Sequence, residues 1–295
     1  MLGCSSRQQL GSLGECRLQN GAVLRDCRIG YRTFGRLDAA RSNAVLVVSW
    51  STGTSADLSR QLGRERLVDT SRDFVIAVDA LGNGVSSSPS NSTLQPGDAF
   101  PSFTVSDMVE TQRRLLREVL GIERIKAVVG ISFGGMQVFE WAVAHPSSME
   151  AAVAIVGTPK TTDAERRRWR SWSQEMLAIS APWRAASALF RLEPRSAFHE
   201  LAIDARDYAR QAEAIAAHDV SARFAGSMES AARAVRARML VVLSPTDEVV
   251  DPAPALAFAR LCGAQVVMLN GHCGHRDTSC DKETLFTTVR RFLAN

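Results

Sequence analysis

The sequence predicts an α/β fold in which helices flank a mostly parallel sheet and a short helical cap is inserted. Short apolar runs rich in β-branched residues recur along the chain, as in strands buried on both faces of a parallel sheet. Helical patterns separate most of these runs, and such alternation is typical of βαβ units. The runs are 44–48, 74–78, 125–129, 151–156, 239–243 and 265–269.

The first predicted element is an antiparallel hairpin. The residues from 13 to 36 alternate in character, and Asn20-Gly21 separates the segments 16–18 and 23–25. An Asn-Gly pair between two such segments is a strong signal for a tight hairpin turn. Two antiparallel strands are therefore expected to precede the parallel ones.

Two helices have clear sequence boundaries. Thr104 and Asp107 form a capping-box pattern, and Gly121 is a stop signal, so the first helix is predicted over 104–120. A last helix is predicted over 282–293. The apolar positions of the first helix follow i, i+3, i+4 spacing: Val105, Met108, Val109, Leu115, Leu116, Val119 and Leu120.

The alternation of strands and helices is interrupted once. Between Gly157 and about Arg236 the sequence is helical in pattern, rich in Ala and Arg, and without a clear strand. We interpret this stretch as the inserted cap. The main domain is then expected over 1–157 and 237–295, and the cap over 158–236.

Composition and charge exclude several classes of protein. With 45% hydrophobic and 22% charged residues, the chain is expected to fold rather than to be disordered. Its net charge of +4 comes without a long basic run, so charge provides no case for nucleic-acid binding. The apolar runs are shorter than the roughly 20 residues that a membrane span needs.

The cysteines bear on the compartment. Six cysteines are too few for a disulfide-built fold and include no CxxC pair that would suggest zinc. Reduced or simply buried thiols are expected, as in a cytoplasmic protein. The start, Met1-Leu2-Gly3-Cys4-Ser5-Ser6, looks like the end of a bacterial lipoprotein signal, although no apolar stretch precedes Cys4. The alternative is an exported lipoprotein with its signal removed.

The sharpest motif is Gly130-Ile131-Ser132-Phe133-Gly134-Gly135, which directly follows one predicted strand and directly precedes a helical stretch. A serine on such a turn is exposed at the carboxyl edge of the sheet, and glycines two residues before and after it let strand and helix approach closely. Ser132 is therefore a candidate nucleophile. The amide of Phe133, at a helix N-terminus, is a candidate oxyanion donor.

A nucleophilic serine needs a base, and the positions of the five histidines along the chain reduce the number of candidates. His145 ends the helix after the elbow, and His199 and His218 lie in the predicted cap. His272 and His275 remain, both in the loop after the last predicted strand. That is where histidine falls in the chain order serine, acid, histidine.

The acid of such a triad should follow the preceding strand. Asp247 does so, and its carboxylate would orient the imidazole and stabilise the imidazolium. Glu248 and Asp251 are the alternates, and a plain turn residue is the other interpretation of Asp247.

A second oxyanion donor is expected from the loop after the third strand, 49–54. Its small residues and glycine suit a tight loop with inward-facing amides. Ser51 is the candidate donor, with Trp50 beside it as a candidate substrate contact. The alternative is an ordinary strand-to-helix turn capped by Thr54 or Ser55.

The chain resembles the homoserine O-acetyltransferase family of α/β-hydrolases over the whole main domain. The resemblance implies an α/β-hydrolase fold with Ser132 as nucleophile, Asp247 as acid and His275, rather than His272, as base. The passages that carry it are 29–35, 49–53, 79–91, 130–142, 157–161 and 273–275.

The residue after the histidine and the length of the cap depart from that family, and a basic cluster lies outside its motifs. The family has an Asp directly after the histidine, thought to hold the substrate's amino group, whereas this chain has Arg276. The cap is also shorter. Arg166 belongs to a basic cluster over 166–170 that is either a solvated helix face or an entrance for an anionic acyl donor such as acetyl-CoA. Both arginines are candidate substrate-binding residues.

The function predicted from these residues is acyl transfer through a Ser132 acyl-enzyme, with an ester or thioester as the small-molecule substrate. The alternative is an esterase that uses water as the acceptor. A rival from another class is a non-catalytic binding protein on the same fold. No metal or bound cofactor is implied, and the sequence is compatible with a homodimer without determining the oligomeric state.

Overall fold

A computed structural model describes residues 5–178 and 204–295 and places eight strands in one sheet, in the order β1-β2-β4-β3-β5-β6-β7-β8. β1 and β2 are antiparallel, β2 pairs antiparallel with β4, and the remaining neighbours are parallel. The predicted α/β class is confirmed. The strands are β1 Ser5–Arg17, β2 Val23–Phe34, β3 Ala44–Val48, β4 Phe74–Val78, β5 Ile125–Ile131, β6 Met149–Ile155, β7 Arg238–Leu243 and β8 Gln265–Met268.

Helices cover both faces of this sheet. The crossovers between parallel strands carry most of them, as βαβ connections require. The helices are α1 Ser55–Ser59, α2 Val105–Arg114, α3 Phe133–Ala144, α4 Asp163–Ala178, α5 Ala205–Ala217, α6 Met228–Ala234, α7 Pro252–Cys262, α8 Asp277–Cys280 and α9 Lys282–Ala294. In the part of the chain that the structure describes, no helix is both long and apolar enough to cross a membrane.

The central strands are buried on both faces, which explains their continuous apolar sequence. In β3, Leu46 and Val48 belong to one apolar cluster, and Val45 and Val47 belong to the cluster on the opposite face. Full burial of such a side chain contributes about 1.5–3 kcal/mol. The predicted buried strands are therefore confirmed from β3 to β7, with ends that differ by a few residues. The prediction of burial is wrong for β8, which lies at the edge of the sheet and is exposed or partly buried along its length.

The hairpin and the first long helix also form where predicted. The hairpin closes through Leu18 N–H and the Ala22 oxygen, 2.8 Å apart. Thr104 caps α2 in a complete capping box with Asp107.

One detail of that helix differs from the prediction. After Arg114 the helix continues as one π-helical turn, Leu115–Val119, in which an extra residue per turn shifts the phase of the side chains. Val119, which the spacing placed on the buried stripe, is consequently exposed.

The described parts of the predicted cap contain α4, α5 and α6. Residues 179–203, which belong to the same prediction, lie outside the described residues. The boundaries of the cap at 158–236 therefore stay a prediction.

A buried carboxylate joins α5 to the loop over 79–91. Asp207 is 1% exposed and accepts hydrogen bonds from the backbone N–H and the hydroxyl of Ser90. Burial has the largest effect and raises the pKa of Asp207 to about 6, against the two bonds from Ser90. The ionised form is therefore disfavoured in the folded protein.

Replacing Asp207 with Asn is expected to change how stability depends on pH. Between pH 3.8 and about 6 the folded protein binds more protons than the unfolded chain at this residue, so its stabilising contribution is lost as pH rises through that window. The free energy of unfolding of Asp207→Asn, relative to the wild type, should rise across it by at most about 3 kcal/mol. Denaturant titrations from pH 4 to pH 8 would measure this.

Asp204→Asn is the control for that experiment. The hydrogen bond from Arg206 lowers the pKa of Asp204 below its ordinary value of 3.8, so the stabilisation by Asp204 is lost only as pH falls below that value, and Asp204→Asn should show little pH trend across the titrated range. A pH-independent difference between Asp207→Asn and the wild type would contradict the prediction.

Candidate active site

Ser132 lies on a strained turn between β5 and α3. Its φ is +58° and its ψ −118°, a backbone conformation that costs energy for any residue with a side chain. The surroundings hold it there, because its N–H donates to the Ile155 oxygen at 2.8 Å and its own oxygen accepts from Met136 N–H at 3.1 Å. The turn leaves the hydroxyl within hydrogen-bond distance of His275.

The two glycines of the turn are required by close contacts. A Cβ on Gly130 would lie 2.2 Å from the Gly134 oxygen, and a Cβ on Gly134 would lie 2.7 Å from the Val48 oxygen. β5, α3 and the end of β3 therefore meet at backbone distance. This is the contact that the glycine spacing in the sequence indicated.

Ser132, His275 and Asp247 form a hydrogen-bonded line. Ser132 Oγ lies 2.8 Å from His275 Nε2, and His275 Nδ1 lies 2.7 Å from Asp247 Oδ2. The Asp247 side chain is 2% exposed. An Nδ1–H that donates to Asp247 leaves the Nε2 lone pair directed at the serine hydroxyl, which is the arrangement a general base needs.

The other histidines lie elsewhere. His272, which the spacing left open, is exposed in the same loop. His145 ends α3 with Nε2 3.4 Å from Glu110. His218 is buried with Nε2 3.0 Å from the Thr158 oxygen, and burial lowers its pKa. His199 lies outside the described residues.

The acid is held by its own loop. Asp247 Oδ1 accepts hydrogen bonds from the backbone N–H groups of Val249 and Val250, each at 2.9 Å. The alternates take other places: Glu248 is exposed, and Asp251 caps α7 by accepting from Ala253 N–H. Of the three carboxylates, the structure brings Asp247 to the histidine.

Helix α4 of the predicted cap supports this acid loop. Arg168 donates to the backbone oxygens of Glu248 at 3.1 Å and Val249 at 2.5 Å. Glu165 accepts from Asp251 N–H at 2.7 Å. Sequence reasoning missed this role, because it treated the arginines as one cluster.

The remaining arginines of that cluster differ from Arg168. Arg167 and Arg170 are exposed. Arg166 is partly buried and contacts the Thr161 oxygen and Asp163, near the start of its own helix. The cluster thus divides into solvated and structural members, and substrate binding by Arg166 stays a prediction.

The loop over 49–54 forms the strand-to-helix turn that the alternative interpretation proposed, and its oxyanion role stays a prediction. Thr54 caps α1 in a complete capping box, as the alternative proposed. Thr52 N–H donates to Gln211 Oε1 and Gly53 N–H to the Trp50 oxygen. Among the described residues, none accepts a hydrogen bond from the Ser51 amide.

Trp50 and Phe133 are the other residues that the sequence predicts to bind the substrate or the oxyanion. Trp50 is partly buried and its ring lies against Gly53, where a Cβ would be 2.6 Å away. Phe133 is the first residue of α3, so its N–H has no intrahelical partner. Their roles in binding an oxyanion or a substrate stay predictions.

Glutamine side chains in the core link this loop to the elbow. Gln137 on α3 donates from Nε2 to the Ser49 oxygen at 3.1 Å and accepts at Oε1 from Gln112 Nε2 at 2.5 Å. Gln112 Oε1 in turn accepts from Trp141 Nε1 at 2.8 Å. No sequence motif marks these residues, because a buried glutamine is recognised by its contacts alone.

The loop that carries His275, here called the base loop, is held in place by two sets of contacts that sequence reasoning missed. Asp277 is fully buried and accepts from Cys273 N–H and Ser244 Oγ, both at 2.8 Å. Because Ser244 directly follows β7, this carboxylate ties the base loop to the acid loop.

The second of these contacts is a disulfide between Cys273 and Cys280. The expectation of reduced or simply buried thiols is therefore wrong for these two cysteines, which lie close in space on either side of His275. Their spacing around the histidine was the available signal. Arg276, next to His275, is exposed.

Comparisons with known proteins agree with this fold. A family model described as alpha/beta hydrolase fold matches residues 53–275. The chain is 37% identical to an ethyl acetate hydrolase of Pseudomonas veronii over 157 residues, 52% of this chain and 45% of that protein. It is 28% identical to a homoserine O-acetyltransferase of Trichormus variabilis over 328 positions, 93% of this chain and 90% of that protein.

A solved structure of an acetylester hydrolase from Corynebacterium glutamicum superimposes with a TM-score of 0.90 at 24% identity and covers 100% of both chains. That likeness concerns the fold. In sequence, the chain spans about half the length of several curated relatives that it matches, among them a probable esterase of the same organism.

Replacing Arg168 with Ala should slow covalent labelling of Ser132 by a fluorophosphonate. Loss of the two bonds to the acid loop lets Asp247 and His275 drift from the geometry that activates the serine, and we expect about a tenfold lower labelling rate. Arg170→Ala, two residues along the same helix and exposed, is the matched control and should label at the wild-type rate. Equal slowing in both variants would contradict a specific role for Arg168.

Asp277→Ala should also lower the labelling rate, by roughly tenfold or more, since the base loop loses its tie to Ser244. Asp277→Asn should retain most of the rate, because the amide can accept from Cys273 N–H and donate to Ser244 Oγ. Thermal unfolding of both variants separates loss of fold from loss of geometry. An Asn variant as slow as the Ala variant would count against this account.

Proposed function

The chain belongs to the alpha/beta hydrolase fold family, and from this premise we propose that it cleaves acyl esters through an acyl-enzyme on Ser132. The observation that carries the proposal is the hydrogen-bonded line from Ser132 Oγ through His275 to Asp247. A buried carboxylate, an oriented imidazole and a serine on a strained turn are the parts that nucleophilic catalysis requires.

In the first half of the reaction His275 Nε2 takes the proton of Ser132 as Oγ attacks the ester carbonyl carbon. The carbonyl oxygen becomes an oxyanion, which the amides of Phe133 and Ser51 would hold. Support for Ser51 comes from its loop, in which neighbouring amides are already bonded to other acceptors. Collapse of the intermediate breaks the ester bond, and His275 passes its proton to the departing alcohol.

In the second half an acceptor hydroxyl attacks the acyl-enzyme while His275 removes its proton. The bond between the acyl carbon and Ser132 Oγ then breaks, and His275 returns its proton to Oγ. The acid forms if the acceptor is water, and a new ester forms if it is an alcohol. Every step uses groups of this chain and the substrate. Acetyl-CoA as acyl donor stays a proposal, and so does an anionic-donor role for Arg166.

Arg276 favours water as the acceptor. The resemblance to homoserine acetyltransferases implies an Asp at this position to hold an amino group, and a guanidinium there repels an ammonium group instead. The curated esterases among the relatives point the same way. Acyl transfer to homoserine is the second candidate, favoured by the match to a homoserine O-acetyltransferase over 93% of this chain.

Turnover of p-nitrophenyl acetate tests the triad. Ser132→Ala and His275→Ala are each expected to lose about a thousandfold or more in kcat. His272→Ala, in the same loop, is the matched control and should stay within about twofold of the wild type. Fluorophosphonate labelling of wild-type protein at any residue other than Ser132 would refute the mechanism.

The same substrate, with and without homoserine, separates the two acceptors. Wild-type protein is expected to release acetate at a rate that homoserine does not change and to make no O-acetylhomoserine by mass spectrometry. Arg276→Asp is the informative variant, because it restores the charge that the homoserine enzymes have. Formation of O-acetylhomoserine by the wild type would select the transferase instead.

A further inference from the structure

Two cysteines outside the proposed mechanism face each other inside the N-terminal hairpin. The pairing of β1 with β2 shifts register on both sides of Gly14, which lies opposite Cys27, and is regular again where Cys16 lies opposite Leu24. Each strand therefore carries one extra residue in this stretch. Bulges of this kind redirect side chains.

The two bulges turn both thiols to the interior. Regular alternation would bury every second residue, but in each strand a three-residue step precedes the cysteine. Glu15 and Asp26 are exposed as a result. The buried positions around the cysteines are Leu13 and Cys16 on β1, Leu18 just after it, and Leu24, Cys27 and Ile29 on β2.

A fixed cation lies beside one of these sulfurs. Arg114 Nη1 is 3.1 Å from Cys16 Sγ. The guanidinium is held in place by Glu118, at 2.8 and 2.9 Å, and by the backbone oxygens of Leu13 and Glu15. The positive charge therefore cannot swing away from the thiol without breaking these bonds.

The surroundings of the two thiols differ, so that Cys16 is the nucleophile and Cys27 keeps its proton. A hydrogen bond from the Cys27 thiol, and then the charge of Arg114, lower the pKa of Cys16 against the effect of burial. The same hydrogen bond and burial raise the pKa of Cys27. The thiolate is the reactive form of cysteine, so Cys16 is the sulfur prepared to attack.

A cavity gives small molecules access to Cys16. It has a volume of about 300 Å³ and is lined by Cys16 and Arg114 together with residues of β1 and α2. Water occupies about 30 Å³ in the liquid, so the cavity has room for a solute of a few heavy atoms.

The cavity is remote from Ser132. Glu110, which lines it, contacts His145 at the far end of α3. Ser132 precedes the first residue of that helix, whose length is roughly 18 Å. Chemistry at the cysteines is therefore separate from the ester-cleaving site.

We propose that Cys16 and Cys27 form a modification site, a dithiol that a small hydroperoxide oxidises to a disulfide. The Cys16 thiolate attacks one oxygen of the peroxide, the O–O bond breaks, and the hydroxide released takes up a proton to form water. Cys27 sulfur then attacks the Cys16 sulfenic acid, its S–O bond breaks, and the leaving hydroxyl takes the Cys27 proton and departs as a second water. Two thiols lose two electrons and the peroxide gains them.

Peptide mapping of the intact protein tests the site. Protein is reduced, freed of reductant, treated with one equivalent of hydrogen peroxide and digested without reduction. The expected product is a cross-linked peptide pair containing Cys16 and Cys27, lighter than the two free peptides by two hydrogen atoms. In Cys27→Ser the Cys16 sulfenic acid should accumulate and be trapped by dimedone.

Neighbouring arginines provide the matched control. Arg114→Gln removes the charge from Cys16 and should slow cross-linking about tenfold, whereas Arg113→Gln, paired with Glu110, should cross-link at the wild-type rate. Oxidation of Cys262 while Cys16 stays unmodified would overturn the proposal, as would a Cys16 oxidised without linkage to Cys27. The wild-type map needs no variant, and none of these outcomes depends on ester cleavage.

Discussion

The close approach of β5 and α3 at Ser132 is the constraint on which the rest of the structure depends. Gly130 and Gly134 contact backbone atoms where any side chain would collide, and Ser132 takes a left-handed backbone conformation between them. The end of β3 enters the same contact through the Val48 oxygen. Strand, helix and oxyanion loop are thereby placed together by backbone packing, and the buried Gln137 joins them with hydrogen bonds.

Two loops carry the other members of the triad around Ser132: the acid loop with Asp247 and the base loop with His275. The acid loop and the base loop leave neighbouring strands, and each is held by contacts that involve no substrate. A hydrogen bond between Ser244 and Asp277 connects the two loops, and Arg168 joins the acid loop to helix α4. Helix α4, which belongs to the predicted cap, therefore contributes to the geometry of Asp247.

Much of this architecture was predictable because it rests on local patterns. Buried strands, the capped helix after Thr104 and the glycine-flanked Ser132 each have a signature within a few residues. The errors came from contacts between distant segments or from irregular backbone. The π turn before Val119 changes a phase that spacing assumes to be constant, and the pairing of Cys273 with Cys280 depends on how a loop folds.

The sequence by itself determined the fold class, the elbow and the small set of histidines and carboxylates from which a triad could be drawn. The order of these residues along the chain follows from the order of the strands, and the sequence shows that order directly. Spacing left His272 and His275 open, the family resemblance implied His275, and the tertiary structure supplies the contact, because His275 Nε2 lies 2.8 Å from Ser132 Oγ whereas His272 is exposed in the same loop. The same holds for Arg168 and Asp277, whose roles exist only where separate loops are packed within hydrogen-bond distance.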